Sequence, residues 1–357
     1  MSLRVLVVGC GNMGSSHARA YRKMPEFEIV GLVSRGPARR TALSHELGGV
    51  PTFGDYFEAL SATGPDVVSI NTYPDTHGPF AIAALEAGAH VFCEKPLAAN
   101  VADADRIVRA SRTLGKKVVV GYILRVHPAW TKFVDLARTL GKPLVMRMNL
   151  NQQSSGATWQ AHQNIMDSMS PIVDCGVHYI DVMCQMTGAR PTRVHAVGAR
   201  LSDEVAPDMY NYGQLQVRFD DGSVGWYEAG WGPMMSEVAF FVKDVIGPKG
   251  SVSIVKDAKD DGDAQASADI DSHTRTNSLR LHHSELNGSG AFVRTDELIN
   301  TADEPSHQAL CDREQAFLLR AIREDIDLTE HLDAAVNGLR VVLAADESVR
   351  TGRVVEL

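Results

Sequence analysis

The stretch "LRVLVVGCGNMGSSHA", residues 3–18, constrains the fold more than any other part of the chain. It opens with a continuous apolar run rich in valine and leucine. Strands buried on both faces of a parallel sheet read this way, because helices cover both sides. Three glycines follow at Gly9, Gly11 and Gly14, and a helical pattern then runs from about Met13 to Lys23. Gly9 permits a tight turn, Gly11 lets the backbone approach a ligand, and Gly14 lets the helix pack close to the strand. The opening helix adds N–H donors and a positive dipole end, which suits a pyrophosphate. Asn12 and Met13 lie in the same turn and join the candidate contacts. A glycine-rich turn without a ligand is the competing reading.

The pattern repeats downstream. "FEIVGLVS", "DVVSINT", "AHVFCEKP" and "KKVVVGY" read as strands. Between them lie helical segments: "ARRTALSHEL" stopped by Gly48-Gly49, "THGPFAIAALEAG", and about Val101 to Leu114. Alternation of this kind implies right-handed crossovers and a parallel, Rossmann-type sheet over residues 1–122. The remainder, 123–357, changes character. A helix from about Pro128 to Leu140 precedes the long strand "PLVMRMNLNQQ", and "SPIVDCGVHYIDVMCQMTG" reads as a helix. Long strands then meander, with turn chemistry at Asp221-Gly222 and Lys249-Gly250. The expected fold class is α/β: an N-terminal dinucleotide-binding domain plus a C-terminal α+β domain with a mostly antiparallel open sheet. Two closing helices, about Gln308–Arg323 and Glu330–Thr351, are free to pack back on the first domain. The acidic stretch from Asp257 to Thr276 reads as a mobile surface loop.

A chain of 357 residues is long enough for two cores. A formal net charge of −9 argues against a nucleic-acid or anionic-membrane partner. No apolar run reaches the roughly 18 residues a membrane helix needs. The first residues enter a strand at once, and five cysteines form no CxxC pair. Together these predict a reduced, cytoplasmic protein with no structural zinc.

Four sites carry candidate chemistry. Glu94, Lys95 and Pro96 stand at the C-terminal tip of a parallel strand, the edge where such sheets bind ligands. An ammonium at Lys95 can stabilise a developing alkoxide, with Glu94 orienting it. Asp174 and His178 are four apart, which places them on one helix face. A carboxylate beside an imidazole suits general acid–base work. A capped helix start with a structural pair competes with that reading. No further Glu or His stands at ligand spacing on that helix, so no metal is assigned. At the second strand tip a carboxylate would bind the 2′-hydroxyl of NAD, but the chain has Ser34, Arg35, Arg39 and Arg40. Serine and arginine suit a 2′-phosphate, which favours NADP over NAD. Arginines in a solvated helix start, with NAD bound through Ser34, remain the alternative. Asn71, Thr72 and His77 mark a further strand tip and join the coenzyme candidates. Tyr122, Arg125, Trp159 and Asn164 are candidates for the substrate pocket.

In order and spacing, GxGxxG, "NTYPDTH", "EKP" and "DCGVHYID" resemble the Gfo/Idh/MocA family of oxidoreductases, as do "VRFDDGSVG", "VIGPKGSVSI" and "ESVRTGRVVEL". The resemblance covers essentially the whole chain. It implies hydride transfer between nicotinamide and a carbinol carbon of a sugar, cyclitol or related polyol. It carries the family's lysine onto Lys95 and its aspartate and histidine onto Asp174 and His178, and it implies a cis Lys95–Pro96 bond. It also implies a homodimer or homotetramer formed through the C-terminal sheet. Two relatives' roles on the same fold remain as alternatives: a non-catalytic nucleotide sensor and an NAD-dependent glycosidase. One departure stands out. The family's lead-in to the DxxxH helix is often glycine-rich, whereas this chain has Ser168, Ser170 and Pro171.

Overall fold

A computed structural model describes residues 2–236, 242–255 and 274–357. The acidic stretch read as a surface loop lies, up to residue 273, outside the described residues. The chain divides into two compact units, one of Met1–Ile123 with Ser306–Leu339, the other of Leu124–Pro305 with Arg340–Leu357.

The first unit is built on a six-stranded sheet: β1 (Leu3–Val8), β2 (Phe27–Val33), β3 (Thr52–Phe53), β4 (Val67–Ile70), β5 (His90–Glu94) and β6 (Val118–Gly121). All neighbours are parallel, in the order β3-β2-β1-β4-β5-β6. The crossovers run through α1 (Asn12–Lys23), α2 (Pro37–Glu46), α3 (Tyr56–Thr63), α4 (Pro74–Glu86) and α5 (Val101–Leu114). Local chemistry sets their ends. Asp55 caps α3 by accepting the Glu58 N–H, and Asn100 caps α5 by accepting the Asp103 N–H. Val5, Val7, Leu32 and Phe92 from the strands meet Tyr21 of α1 in one core, which Leu318 and Ala321 complete from the helix His307–Arg323. Strand order reverses between β1 and β4, so their C-terminal ends diverge around a crevice.

The second unit opens with a short 3-10 turn, Ile123–Val126, and α6 (Pro128–Thr139). Its nine-stranded sheet contains β7 (Val145–Gln153), β8 (Pro191–Ala199), β9 (Tyr212–Phe219), β10 (Val224–Gly232), β11 (Lys243–Gly247), β12 (Gly250–Val255), β13 (Ser278–His283), β14 (Glu297–Asn300) and β15 (Val355–Glu356). The order is β14-β13-β12-β11-β7-β10-β9-β8-β15, antiparallel except where β7 and β10 run together. The remaining helices are α7 (Gly156–Met166), α8 (Pro171–Thr187), α9 (His307–Arg323) and α10 (Thr329–Thr351). Both hairpin turns form where the Asp-Gly and Lys-Gly pairs mark them, with Gly222 and Gly250 at positive φ. α8 covers one face of the sheet, where Met148, Tyr227 and Leu215 share a rung. The opposite face carries Val145, Val224 and Arg218 on one rung and Arg147, Trp226 and Gln216 on the next. Helix α7 is not among the segments the hydrophobic pattern marks. Its sequence "GATWQAHQNIM" begins with a glycine at positive φ and shows little apolar periodicity.

Candidate active site and coenzyme cradle

The turn after β1 is shaped by what its glycines lack. Gly9 has φ +95°, and a Cβ there would fall 2.4 Å from the Asn71 carbonyl oxygen. A Cβ on Gly14 would fall 1.8 Å from the Gly9 carbonyl oxygen, so α1 can sit against the strand only with glycine there. Above Gly11 the space is open, and the nearest group is Arg39 Nη1 at 3.9 Å from the absent Cβ. α1 starts with no side-chain cap and no acidic residue in its first turn. Its first N–H groups are thus left to an anionic ligand. Asn12 is exposed and Met13 half-buried at this opening. These features fit the pyrophosphate of a dinucleotide.

The flanking candidates divide. Ser34 is half-buried and Arg35 exposed. Arg40 turns inward and donates to the carbonyls of Ser34 and Arg35, bracing the turn after β2. Arg39 is the cation beside Gly11, and Arg35 stands exposed just past the end of β2. Asn71 is a clamp between strand ends: its amide donates to the carbonyls of Ser69 at 3.0 Å and Val8 at 3.3 Å. Thr72 Oγ1 pairs with Thr76 Oγ1 at 2.6 Å. His77 is fully buried, with Nδ1 2.8 Å from the Pro96 carbonyl and Nε2 3.0 Å from the Thr72 carbonyl. Its ring therefore spans two strand-tip loops from inside instead of facing a ligand. Burial holds its pKa below the usual histidine value, against the pull of the two carbonyls and of Glu94 and Asp75. A neutral His77 can donate to one carbonyl at a time.

At the tip of β5 every residue from Val91 to Ala98 is buried except Lys95. Glu94 holds the turn with both oxygens. Oε1 accepts from His17 Nε2 at 2.8 Å, and Oε2 accepts the Lys95 backbone N–H at 3.2 Å. Gln315 of α9 donates its amide to His17 Nδ1 at 2.8 Å, which leaves the imidazole proton on Nε2, facing Glu94. The Lys95–Pro96 bond is cis. His17, Cys311 and Glu314 bring potential ligand atoms within 4.8 Å of one another. Both His17 nitrogens are already engaged, by Glu94 and by Gln315.

In the second unit, α8 begins at Ser170, whose side chain accepts the Val173 N–H, with Pro171 at the first helical position. From Ser170 to Met183 every residue is buried except Asp174 and His178. They project on one face, one turn apart. The wall beside them contains residues the sequence pattern does not single out. Gln152 accepts from Trp231 Nε1 at 2.6 Å and from Cys175 Sγ at 3.5 Å, and Cys175 Sγ also lies 3.6 Å from Asp174 Oδ2. His162 stacks on Trp231 with centroids 4.6 Å apart. Lys243 is buried, 5.6 Å from the centroid of the Tyr179 ring. A glutamine or lysine on the inward rungs of an otherwise apolar strand face is the signal that could have marked them.

The four candidates for the substrate pocket lie in different settings. Arg125 donates to both oxygens of Asp181 at 2.8 and 2.5 Å. Tyr122 is buried in the first unit. Trp159 is buried, with Nε1 2.8 Å from Glu204 Oε2. Asn164 is exposed and accepts from Gln160 along the outside of α7.

Comparison with known proteins decides the family. Residues 3–122 match the model described as an oxidoreductase family with an NAD-binding Rossmann fold, and residues 136–253 match the GFO/IDH/MocA C-terminal domain. The chain belongs to the Gfo/Idh/MocA family. Among Gfo/Idh/MocA relatives, the scyllo-inositol 2-dehydrogenase (NAD(+)) of Bacillus subtilis is 26% identical over 365 residues, covering 99% of this chain and 96% of that protein. Inositol 2-dehydrogenase 4 of Saccharopolyspora erythraea is 31% identical over 199 residues, covering 54% of this chain and 56% of that protein. The crystal structure of an NAD binding oxidoreductase from Klebsiella pneumoniae superposes with a TM-score of 0.78 at 21% identity, covering 100% and 99% of the two chains. This Gfo/Idh/MocA chain is accordingly an NAD(P)-dependent oxidoreductase acting on CH–OH groups. Among the described residues no helix is long and apolar enough to cross a membrane.

Proposed function

We propose that this enzyme oxidises a ring carbinol of a cyclitol or related sugar, or reduces the matching ketone, and prefers NADP. One observation carries the assignment of residues: two otherwise buried segments expose only titratable groups, Lys95 from one and Asp174 with His178 from the other. The inositol dehydrogenases among its relatives support the substrate class. The Ser34–Arg35 pair in place of a carboxylate, with Arg39 over Gly11, supports NADP.

Gly9, Gly11, Asn12, Met13 and Gly14 would hold the coenzyme's phosphates, Ser34 and Arg35 its ribose end, with Asn71 and Thr72 shaping the next strand tip. When bound, the nicotinamide supplies the hydride acceptor or donor. In the oxidative direction His178 takes the hydroxyl proton as the carbinol hydrogen leaves as hydride. Asp174 fixes the imidazole and stabilises its charged form. Lys95 would donate a hydrogen bond to a substrate oxygen and offset charge developing on it. Glu94, tied to His17, keeps the lysine turn in place.

A panel of cyclitols and sugars with each coenzyme, followed by nicotinamide absorbance, tests this. Lys95→Ala and His178→Ala should each cut turnover by about 10²–10⁴, with NADP affinity retained by titration. Turnover near wild type in both variants would remove the assignment, and equal affinity for NAD and NADP would remove the coenzyme preference.

The open face of the second unit's sheet exposes Val145, Val197, Val224 and Ile246. With the family resemblance, this supports a homo-oligomer formed through that face.

A further inference from the structure

The lead-in to α8 departs from the glycine-rich form that the resemblance implies, and the serine placed there is not a passive filler. Ser170 is fully buried. Its Oγ accepts the Val173 N–H at 3.3 Å and donates to Asp346 Oδ1 of α10 at 2.6 Å. The Tyr210 hydroxyl lies 2.8 Å from Ser170 Oγ and also donates to Asp346 Oδ1. Three segments far apart in sequence thus meet at one oxygen: the start of α8, the loop before β9 and α10.

The sheet makes room for this contact. Gly198 and Gly213 face each other in register on β8 and β9. A Cβ on Gly198 would fall 2.9 Å from Tyr210 Cγ. One on Gly213 would fall 2.8 Å from Tyr210 Cε2 and 2.7 Å from Ile172 Cδ1. The two missing side chains form a notch that seats the tyrosine ring beside the first turn of α8. The next residue extends the hold. Asn211 exchanges two hydrogen bonds with Trp231, both 2.8 Å, and Trp231 in turn fixes Gln152 beside Cys175 and Asp174. The nearest counter-charge to Asp346 is Arg350, 3.9 Å away on the same helix. Burial raises the Asp346 carboxyl above the usual range, while Ser170, Tyr210 and Arg350 oppose that rise.

We propose that Ser170, Tyr210 and Asp346 act as one positioning unit that sets the first turn of α8, and with it the projection of Asp174 and His178. This rests on the reading of His178 as the proton carrier. The unit touches no reacting atom. Its effect comes through the angle at which a helix presents two side chains, where a displacement of about 1 Å can cost up to about a hundredfold in rate.

The test uses the full chain and compares Ser170→Ala, Ser170→Thr, Tyr210→Phe, Asp346→Asn and His178→Ala. Ser170→Ala and Tyr210→Phe should each lower kcat about tenfold and shift the acid limb of the kcat–pH profile. Substrate KM and NADP affinity should stay within about twofold. Ser170→Thr, which keeps the hydroxyl, should restore most of kcat. The double variant Ser170→Ala/Tyr210→Phe should be no slower than the worse single, as members of one network behave. Thermal unfolding identifies any variant that fails to fold, and Tyr210→Phe and Asp346→Asn, close in shape to the originals, keep the question open to measurement. The proposal falls if folded Ser170→Ala and Tyr210→Phe keep wild-type kcat and pH profile while His178→Ala is inactive. It falls too if Ser170→Thr is as slow as Ser170→Ala. An active His178→Ala would instead overturn the reading on which it stands.

Discussion

Glu314 lies fully inside the first unit, and neither of its oxygens has a hydrogen-bond partner among the described residues. Burial, and then the charge of Glu94, hold its carboxyl well above the usual range. The groups around it are His17 and Tyr21 on α1, Glu94 on β5, and Cys311 and Gln315 on its own helix. The sign of its pH effect follows. Above the ordinary carboxylate pKa the unfolded chain has released this proton and the folded chain has kept it, so stability falls as pH rises. Glu314→Gln removes that dependence with little change of shape. Its Tm should exceed the wild type's at pH 7–8, with the gap closing as pH falls through the ordinary carboxylate range. A gap that stays constant or widens toward acid would show that Glu314 is ionised in the fold. Residues of this kind were beyond the reach of sequence reading. Gly9, Gly14, Lys95 and His178 are marked by spacing within a few positions, because backbone sterics and helix periodicity are local. His17 and Gln315 are separated by 298 positions, and nothing local in either segment announces the other.

Among the elements, α8 is the one whose surroundings matter most to the proposed chemistry. Its inward face packs on the sheet through Cys175, Gly176, Tyr179 and Met183, and its other stripe runs Asp174, His178, Asp181 and Gln185. Asp181 is 1% exposed and receives the Arg125 guanidinium in a two-pronged pair, with Gln185 adding a third donor at 2.9 Å. Arg125 thus fastens the segment entering the second unit to the middle of α8. Arg125→Ala should destabilise the fold by about 3–5 kcal/mol, because it leaves a buried carboxylate without its cation. Adding Asp181→Asn should recover part of that loss, as read by denaturant unfolding. If Arg125→Ala costs under about 1 kcal/mol, the pair behaves like an exposed one and holds nothing. The sequence marks α8 well through its cap, its proline and its spacing, but not the partner Arg125 finds on it, since Asp181 lies 56 positions away. Helix α7 escaped for a different reason. Its hold is tertiary, through Trp159 on Glu204 and His162 on Trp231, and its local pattern is weak.

At the scale of the whole molecule, the first unit draws on two stretches of chain, Met1–Ile123 and Ser306–Leu339, and the second on two others. The alternating strand and helix pattern made the first sheet legible, because each parallel strand is a nearly uninterrupted apolar run. The second sheet was legible in class but not in order, since the parallel pairing of β7 with β10 joins strands separated by α7, α8, β8 and β9. That sheet has one face under α8 and one face on which Ile246, Val145 and Val224 line up on a single rung, each about 40% exposed. Arg147, paired with Asp244 at 2.6 Å, and Trp226 form the next rung. An apolar rung edged by charged groups has the composition of an interface core with a polar rim. In a two-fold dimer the same patch is used twice, so each substitution enters the seam twice and like charges oppose each other across it. Val145→Glu/Val224→Glu places its new carboxylates where the single chain already meets solvent, so the fold of the unit should survive. The wild type should sediment as a dimer or tetramer at micromolar concentration, and the variant should shift to monomer while keeping its thermal transition and its NADP affinity. A monomeric wild type, or a variant that stays assembled, would move the seam away from this face.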